Sequence, residues 1–473
     1  MTTPRTDLHD LADEGKRVRT RTDAASLVCA YLCFLVLVPA RLVIGGLPLD
    51  IRPSLLLGLG LGLCWLCAQM VDNLGMAKGR NPARTAIFCF AASQVATYGY
   101  ATWKYLPADE LKSADLSFVT ILGLLVVGLL VCDGIRTIDR LDKVLQFVVV
   151  ACAVMAAIGL FQFFTGFDLT KYMVVPGLRE VGSGEAVLER SIFRRPSGTA
   201  GHPIEFGVVC AFAVPFAAHY AFRAQALGVK TRKWWVMLLV LATGATVSLS
   251  RSAILGLLVA MIFLLPTWPA KRALQTVVAA AGFLVVLRFF VPGLVGTLVS
   301  LFSNISNDPS IQGRTDDYAT TSQTIAENLW LGKGFGTYLP SRYGPLDNQY
   351  LGTIVENGLI GLAALIALFL AGMWAAGAAR RSTTDPHLRD LAQTMLACTA
   401  MLGVSSVTYD TFAFKIASGL MFILIGAAGA LQRILRAHRR SFSAPTMRIS
   451  AKALAAWASQ GMASARAHAR HPR

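Results

Sequence analysis

The sequence predicts an all-α, polytopic integral membrane protein with about twelve transmembrane helices, two long extracytoplasmic loops and both termini in the cytoplasm. Of 473 residues, 55% are hydrophobic and 15% charged, which excludes an ordinary soluble domain. Apolar stretches of the ~20 residues needed to cross ~30 Å of hydrocarbon recur along the chain. Lys and Arg are also unevenly distributed. With the N-terminus placed inside, the short cytoplasmic loops carry 15 of them and the short outer loops 5, the asymmetry that the positive-inside rule requires.

In chain order, the apolar stretches are 24–39, 53–71, 84–101, 116–132, 144–165, 203–222, 234–250, 252–265, 272–292, 350–375, 388–408 and 412–432. Residues 1–23 form a cytoplasmic N-tail, too long and too acidic for a secretory leader, so the first apolar run is a retained helix. Residues 24–432 form the transmembrane domain, and 433–473 a basic cytoplasmic C-tail. The formal charge of +17 fits anchoring to anionic membrane lipid rather than nucleic acid. All nine cysteines lie within or beside apolar runs and read as packing residues. The C-x-x-C at Cys64–Cys67 lacks the second pair of a metal site.

Two outer segments, 166–202 and 293–349, are far longer than the other connections, and loops of that size in a compact protein carry function. In the first, "FRRPSGTAGHPIEFG" places Arg194, Arg195 and His202 as donors just before a helix that Pro203 can open. Next, "SLSRSAILG" sets Arg251 in a tight turn between two apolar helices. A charge at membrane depth costs several kcal/mol, so Arg251 must snorkel, pair with a distant carboxylate or hold an anion. The second long loop holds an amphipathic stretch from Arg314, with Tyr318, Ile325 and Leu329 at helical spacing. Its adjacent acids Asp316 and Asp317 read as a solvated pair at a helix N-terminus rather than a metal site. "GKGFG" at 332–336 is a glycine turn without the spacing of a nucleotide-binding loop.

Arg195, Arg251 and Arg314 come from three outer segments able to converge on one outward-facing cavity. Guanidinium groups bind phosphate oxygens in pairs and stay charged at any physiological pH. Such a cluster suits a diphosphate at the membrane surface, as in a polyprenyl-diphosphate-linked sugar donor. Glycan transfer from that donor requires a stabilised leaving diphosphate and a proton acceptor for the attacking hydroxyl.

These stretches resemble the O-antigen ligase and O-antigen polymerase superfamily of bacterial envelope polysaccharide assembly. The resemblance runs through "RRPSGTAGHP", "SLSRSAILG", an Arg followed by Asn328, Gly332, Gly334 and Gly336, and the closing "DNQYLGTIVENGLIGL". The ligase signature is His, then Asn, Ser or Gln, nine residues, then Gly-x-x-Gly. Here Asn348 precedes Gly358 and Gly361 at that spacing, and Asp347 stands where the His would be. The resemblance implies a metal-independent glycosyltransferase without cofactor in the bacterial inner membrane, its active site facing outward. Arg195, Arg251 and Arg314 would line the diphosphate site, with Arg194, His202 and Asn348 as further substrate contacts. Asp347 would act as a base or orient the acceptor. The implied partners are a polyprenyl-diphosphate-linked glycan donor, a saccharide or glycolipid acceptor and polysaccharide-assembly proteins. Asp in place of His leaves polymerase and ligase both open. The alternative is a lipid-linked oligosaccharide flippase or other twelve-helix transporter. Against it, the first six spans carry few of the acids and helix breaks that transporters concentrate near the midplane.

Overall fold

A computed structural model describes residues 23–47, 49–71, 79–181, 187–190, 193–303 and 309–443, without the side chains of 187–190, 301–302, 309–316 and 440–443. The N-tail up to residue 22 and the C-tail from 444 lie outside the described residues. A helix covers each of the twelve apolar stretches. In order these are α1 (Ala24–Val36), α2 (Pro53–Met70), α3 (Pro82–Trp103), α4 (Ala108–Gly134), α5 (Ile138–Thr165), α6 (Pro203–Ala226), α7 (Arg232–Val247), α8 (Arg251–Leu264) and α9 (Ala270–Phe290). The long second loop folds into α10 (Leu294–Ser303), α11 (Pro309–Glu327) and the single turn α12 (Pro340–Tyr343). The last three are α13 (Gln349–Arg381), α14 (Pro386–Ser405) and α15 (Lys415–Ser443).

Among the described residues, α2, α4, α5, α6, α9, α13 and α15 are long and apolar enough to span a bilayer, and α1 and α8 are apolar but shorter. Helix α3 falls short in hydropathy because it buries Ser93, Gln94 and Thr97, and α14 because it carries Arg389, Asp390, Gln393 and Thr394 near its start. The all-α expectation needs one correction. Short antiparallel ribbons pair β1 (Leu42–Ile44) with β2 (Leu178–Glu180), and β3 (Val187–Arg190) with β4 (Phe193–Pro196). A segment outside the hydrocarbon must still satisfy its backbone polar groups, and the ribbons do so where no helix forms. Asp316 and Asp317 are a second correction. Their helix starts at Pro309, so both lie inside α11 and not at its N-terminus.

Close helix contacts rest on small residues, as expected where lipid supplies no hydrophobic drive between helices. Helices α4 and α15 cross where a Cβ on Gly426 would stand 2.4 Å from the Gly128 carbonyl oxygen. The end of the bundle distal to the Pro203 end of α6 is tied by buried ion pairs. Asp390 accepts from Arg272 at 3.0 Å and Trp268 at 2.9 Å and lies 2.6 Å from His219 Nδ1. Asp142 accepts from Arg223 at 2.6 Å and from the Tyr220 hydroxyl at 2.9 Å. His219 is thereby a structural residue.

Helix α13 is not continuous. Gly358 adopts φ 64° and ψ −165° inside it, a conformation open essentially to glycine alone. The break frees backbone groups that the 329–334 segment takes up: Lys333 N donates to Val355 O, Gly334 N to Glu356 O, and Leu359 N to Leu329 O, each at 2.9 Å. Both strands of this clasp need glycine. A Cβ on Gly358 would sit 2.3 Å from the Trp330 carbonyl carbon, and one on Gly332 would sit 2.3 Å from that of Glu356. The Gly-x-x-Gly that closes the sequence signature is therefore a folding element. Gly358→Ala or Gly332→Ala is expected to destabilise by ~3 kcal/mol or more through strain and lost hydrogen bonds. Gly352→Ala, whose Cβ would meet nothing within 4 Å, should be neutral or stabilising by about 0.5–1 kcal/mol. Thermal melts of the three purified variants check the contrast.

Candidate functional site

Three chain segments meet at the Pro203 end of α6. The first is β4 and the turn after it. Side chains alternate across a strand, and the neighbouring arginines separate accordingly. Arg194 is exposed and turned to the end of α5, where a Cβ on Gly166 would stand 2.2 Å from its Nη1. Arg195 is half-buried and its Nε donates to the Ser248 carbonyl at 3.0 Å. The turn after β4 is held by Gln162, whose Oε1 accepts from Gly198 N at 2.7 Å and whose Nε2 donates to Gly198 O at 3.2 Å.

The second segment is the 248–251 turn. Leu249 takes φ 50° there, rare for a non-glycine residue, and the turn delivers Arg251 as the first residue of α8. The hydrogen bond from Arg195 to Ser248 ties the first two segments together three residues from Arg251. A Cβ on Gly207 would stand 2.2 Å from Ser248 Oγ, so α6 touches the turn directly.

The third segment is the entry to α13. Gln349 N donates to Ser406 O at 2.9 Å and Tyr409 O at 3.2 Å, and Gln349 Oε1 accepts from Phe412 N at 2.7 Å. The 405–408 turn in turn grips the start of α8, with Thr408 Oγ1 donating to Ser252 Oγ at 2.8 Å. Half-buried Asp347 is thereby drawn towards Arg195 and His202, and both Arg195 and Asp347 act on the charge of His202. Asn348 is engaged at both ends of its amide. Its Oδ1 caps α13 through Tyr350 N at 3.0 Å and Leu351 N at 3.2 Å, and its Nδ2 donates to the Tyr318 hydroxyl at 3.2 Å. This last bond seats α11 against the mouth of the site. The Arg314 side chain lies outside the described residues.

His202 is the N-cap of α6, its Nδ1 accepting from Ile204 N at 3.1 Å. A nitrogen that accepts cannot carry the proton, so the ring is the neutral Nε2–H tautomer, free to donate from Nε2. Burial lowers the His202 pKa, and Arg195 lowers it further against the opposing pull of Asp347.

Four charged residues that do not stand out in the sequence lie behind these groups. Glu205 Oε1 accepts from Ile416 N at 2.7 Å and Ala417 N at 3.4 Å, and its Oε2 accepts from Gly201 N at 3.2 Å. Asp410 Oδ1 caps the next turn through Phe412 N at 3.0 Å and Ala413 N at 3.1 Å. Burial, first of all, raises the Asp410 pKa, and Asp347 adds to the rise. Lys415 Nζ donates to Phe412 O at 2.7 Å. Arg52 closes the group from α2, acted on by Glu205 through space. An acid such as Glu205 inside the apolar run "PIEFGVVCAFAV" was the available signal.

Known proteins bear on this geometry. Residues 236–366 match the family model described as O-antigen ligase. This matched segment is similar to the O-antigen ligase family. It contains Arg251, Arg314, Asp347 and the clasp glycines, and stops short of Arg195 and His202. The chain as a whole is a multi-pass membrane protein. No curated protein matches it. Among solved structures, a chain from a peptidoglycan synthase complex is 15% identical with a TM-score of 0.38, covering 76% of this chain and 98% of that one. A likeness at that TM-score says nothing about function.

Because the folded-state pKa of His202 is lowered, its contribution to stability diminishes as pH falls from the unfolded value of about 6.5 towards the folded one, and is fully present above it. Wild-type protein should therefore gain melting temperature as pH rises through that window. His202→Asn keeps an N-cap acceptor and should lose that slope while matching wild type at neutral pH, as melts across pH 5 to 8 would show.

Proposed function

We propose that this chain is a membrane glycosyltransferase that moves a polyprenyl-diphosphate-linked glycan onto a saccharide acceptor at the outer face of the bacterial cytoplasmic membrane. The observation that carries the reading is the junction of Arg195, the Arg251 turn and the Asp347 entry within and beside a segment similar to the O-antigen ligase family. The twelve helices are read as crossings, with Arg195, Arg251 and Asp347 at the outer surface.

In the transfer, the acceptor hydroxyl oxygen attacks the anomeric carbon of the donor sugar. The bond from that carbon to the phosphate oxygen breaks, and the polyprenyl diphosphate departs with the bonding pair. Arg195 and Arg251, with Arg314 from α11, balance the charge that builds on the leaving oxygens. Asp347 takes the hydroxyl proton or holds the hydroxyl in line, and neutral His202 offers its Nε2–H to a sugar or phosphate oxygen. With Asp347 where the ligase signature has His, polymerisation of repeat units, or transfer to an acceptor other than a lipid A core, is the branch the residues favour.

Arg195→Ala and Arg251→Ala should each reduce polymer formation in cells about 10²–10³-fold, the cost of removing one donor from a developing oxyanion, with protein level unchanged. Mass spectrometry of the lipid fraction should then find single glycan units, still diphosphate-linked, on the outer face. Normal polymer in both variants would end the diphosphate-site reading. Units trapped on the cytoplasmic face would point instead to a flippase.

A further inference from the structure

A cavity of about 250 Å³ opens between α1, α2 and α4 beneath the β1–β2 ribbon. Its lining includes Arg41, Arg52, Lys415, Ser54, Ser117 and Thr120, and none of Arg195, His202, Arg251 and Asp347. It is therefore separate from the transfer site, although Lys415 of its lining feels the charges of both Arg52 and Asp410.

Most charges at this cavity are matched. Arg41 Nε lies 3.1 Å from Glu180 and its Nη1 lies 3.5 Å from Asp168. Asp50, the acid of the lining, lies 2.7 Å from Arg179 Nη2. Arg52 is different. It is half-buried and, among the described residues, its guanidinium makes no hydrogen bond or ion pair, Glu205 acting on it only through space. Glu205 in turn spends its oxygens on the three backbone N–H groups of Gly201, Ile416 and Ala417. Lys415 Nζ has one acceptor, the Phe412 carbonyl, for its three hydrogens. Two cations with donors to spare, beside the hydroxyls of Ser54, Ser117 and Thr120, form an anion-binding lining.

We propose that this cavity holds the phosphate-bearing headgroup of the acceptor, so that the protein carries two separate diphosphate sites. The inference rests on the transfer reading and deepens it. Growth of a polymer from two lipid-linked molecules brings two diphosphates to one protein. Their like charges repel strongly at short range in a medium of low dielectric, so each requires its own cations. Arg195 and Arg251 serve the donor, Arg52 and Lys415 the acceptor. The glycine turn joins the two sites mechanically. A Cβ on Gly336 would stand 2.4 Å from Ser117 Oγ, so the loop that clasps α13 also rests on the cavity wall.

The test is binding stoichiometry of farnesyl diphosphate to the full chain in phosphatidylcholine nanodiscs, by native mass spectrometry and calorimetry, with inorganic pyrophosphate and phosphatidylglycerol as competitors. Wild type should bind two equivalents. Arg52→Gln should weaken one of them about ten- to a hundredfold with an unchanged melting temperature, Arg52→Lys should recover most of it, and Ser54→Ala should weaken the same one more mildly. Arg251→Gln should weaken only the other. A single equivalent lost with Arg251→Gln and indifferent to Arg52→Gln overturns the acceptor site and leaves the donor reading standing. A single equivalent lost only with Arg52→Gln keeps the cavity and removes the donor site. Displacement of the Arg52-dependent equivalent by phosphatidylglycerol, or by pyrophosphate equally well without the prenyl chain, assigns the cavity to bilayer lipid or free phosphate and overturns the proposal.

Discussion

The Glu205 carboxyl group joins two parts of the chain that are far apart in sequence. By accepting from Gly201, Ile416 and Ala417 it fixes the turn that carries His202 against the N-terminus of α15. It also satisfies backbone donors that the first turn of that helix would otherwise leave orphaned. A buried donor without a partner costs about 1–3 kcal/mol, and a carboxyl at a helix N-terminus gains from the dipole as well. His202 on one side and Lys415 on the other take their positions from elements that Glu205 joins, and Arg52 feels its charge through space.

A second constraint acts on α13. The break at Gly358 opens α13 just beyond its entry, and the 329–334 segment closes over the gap. Glu356 Oε1 accepts from Tyr338 N at 3.2 Å, carrying the clasp on towards α12. Lys333 then reaches Glu110 Oε2 at 2.9 Å, while Glu110 Oε1 accepts from Tyr343 and Arg342 at 2.6 and 2.9 Å. The long 293–349 loop is thus anchored to α4 and α13 by both backbone and charge, and α11 is presented to the site on a fixed base.

Much of this was legible in the sequence, and the reason differs by residue. Apolar runs report burial or lipid contact directly, and among the described residues seven of the expected spans are helices long and apolar enough to cross a bilayer. Arg195 and Arg251 stood out because charge beside lipid is costly and needs a purpose. Asn348, read as a substrate contact, turned out to cap α13 and tether α11, two jobs that spacing alone does not distinguish from binding. Arg194 could not be told from Arg195 until the strand gave each a face. Glu205 escaped because its helix-capping partners Ile416 and Ala417 lie 211 and 212 residues away, and Asp410 and Lys415 because their bonds are local turn contacts to Phe412 and Ala413; Arg52 has no partner in its own segment to mark it. The Gly-x-x-Gly of the signature gives only a spacing in the sequence, and its geometry is that of a helix break.

The proposed function gives transfer, rather than translocation, to Arg195, Arg251 and Asp347. The most direct test reconstitutes the purified chain in proteoliposomes with a lipid-linked glycan as both donor and acceptor and monitors glycan length together with released polyprenyl diphosphate. One diphosphate should be released per linkage formed, and neither product should come from Arg251→Gln or Asp347→Asn protein that still binds donor. Lengthening by Asp347→Asn at the wild-type rate, or movement of intact donor across the bilayer without any release, would contradict a transfer site built on these residues.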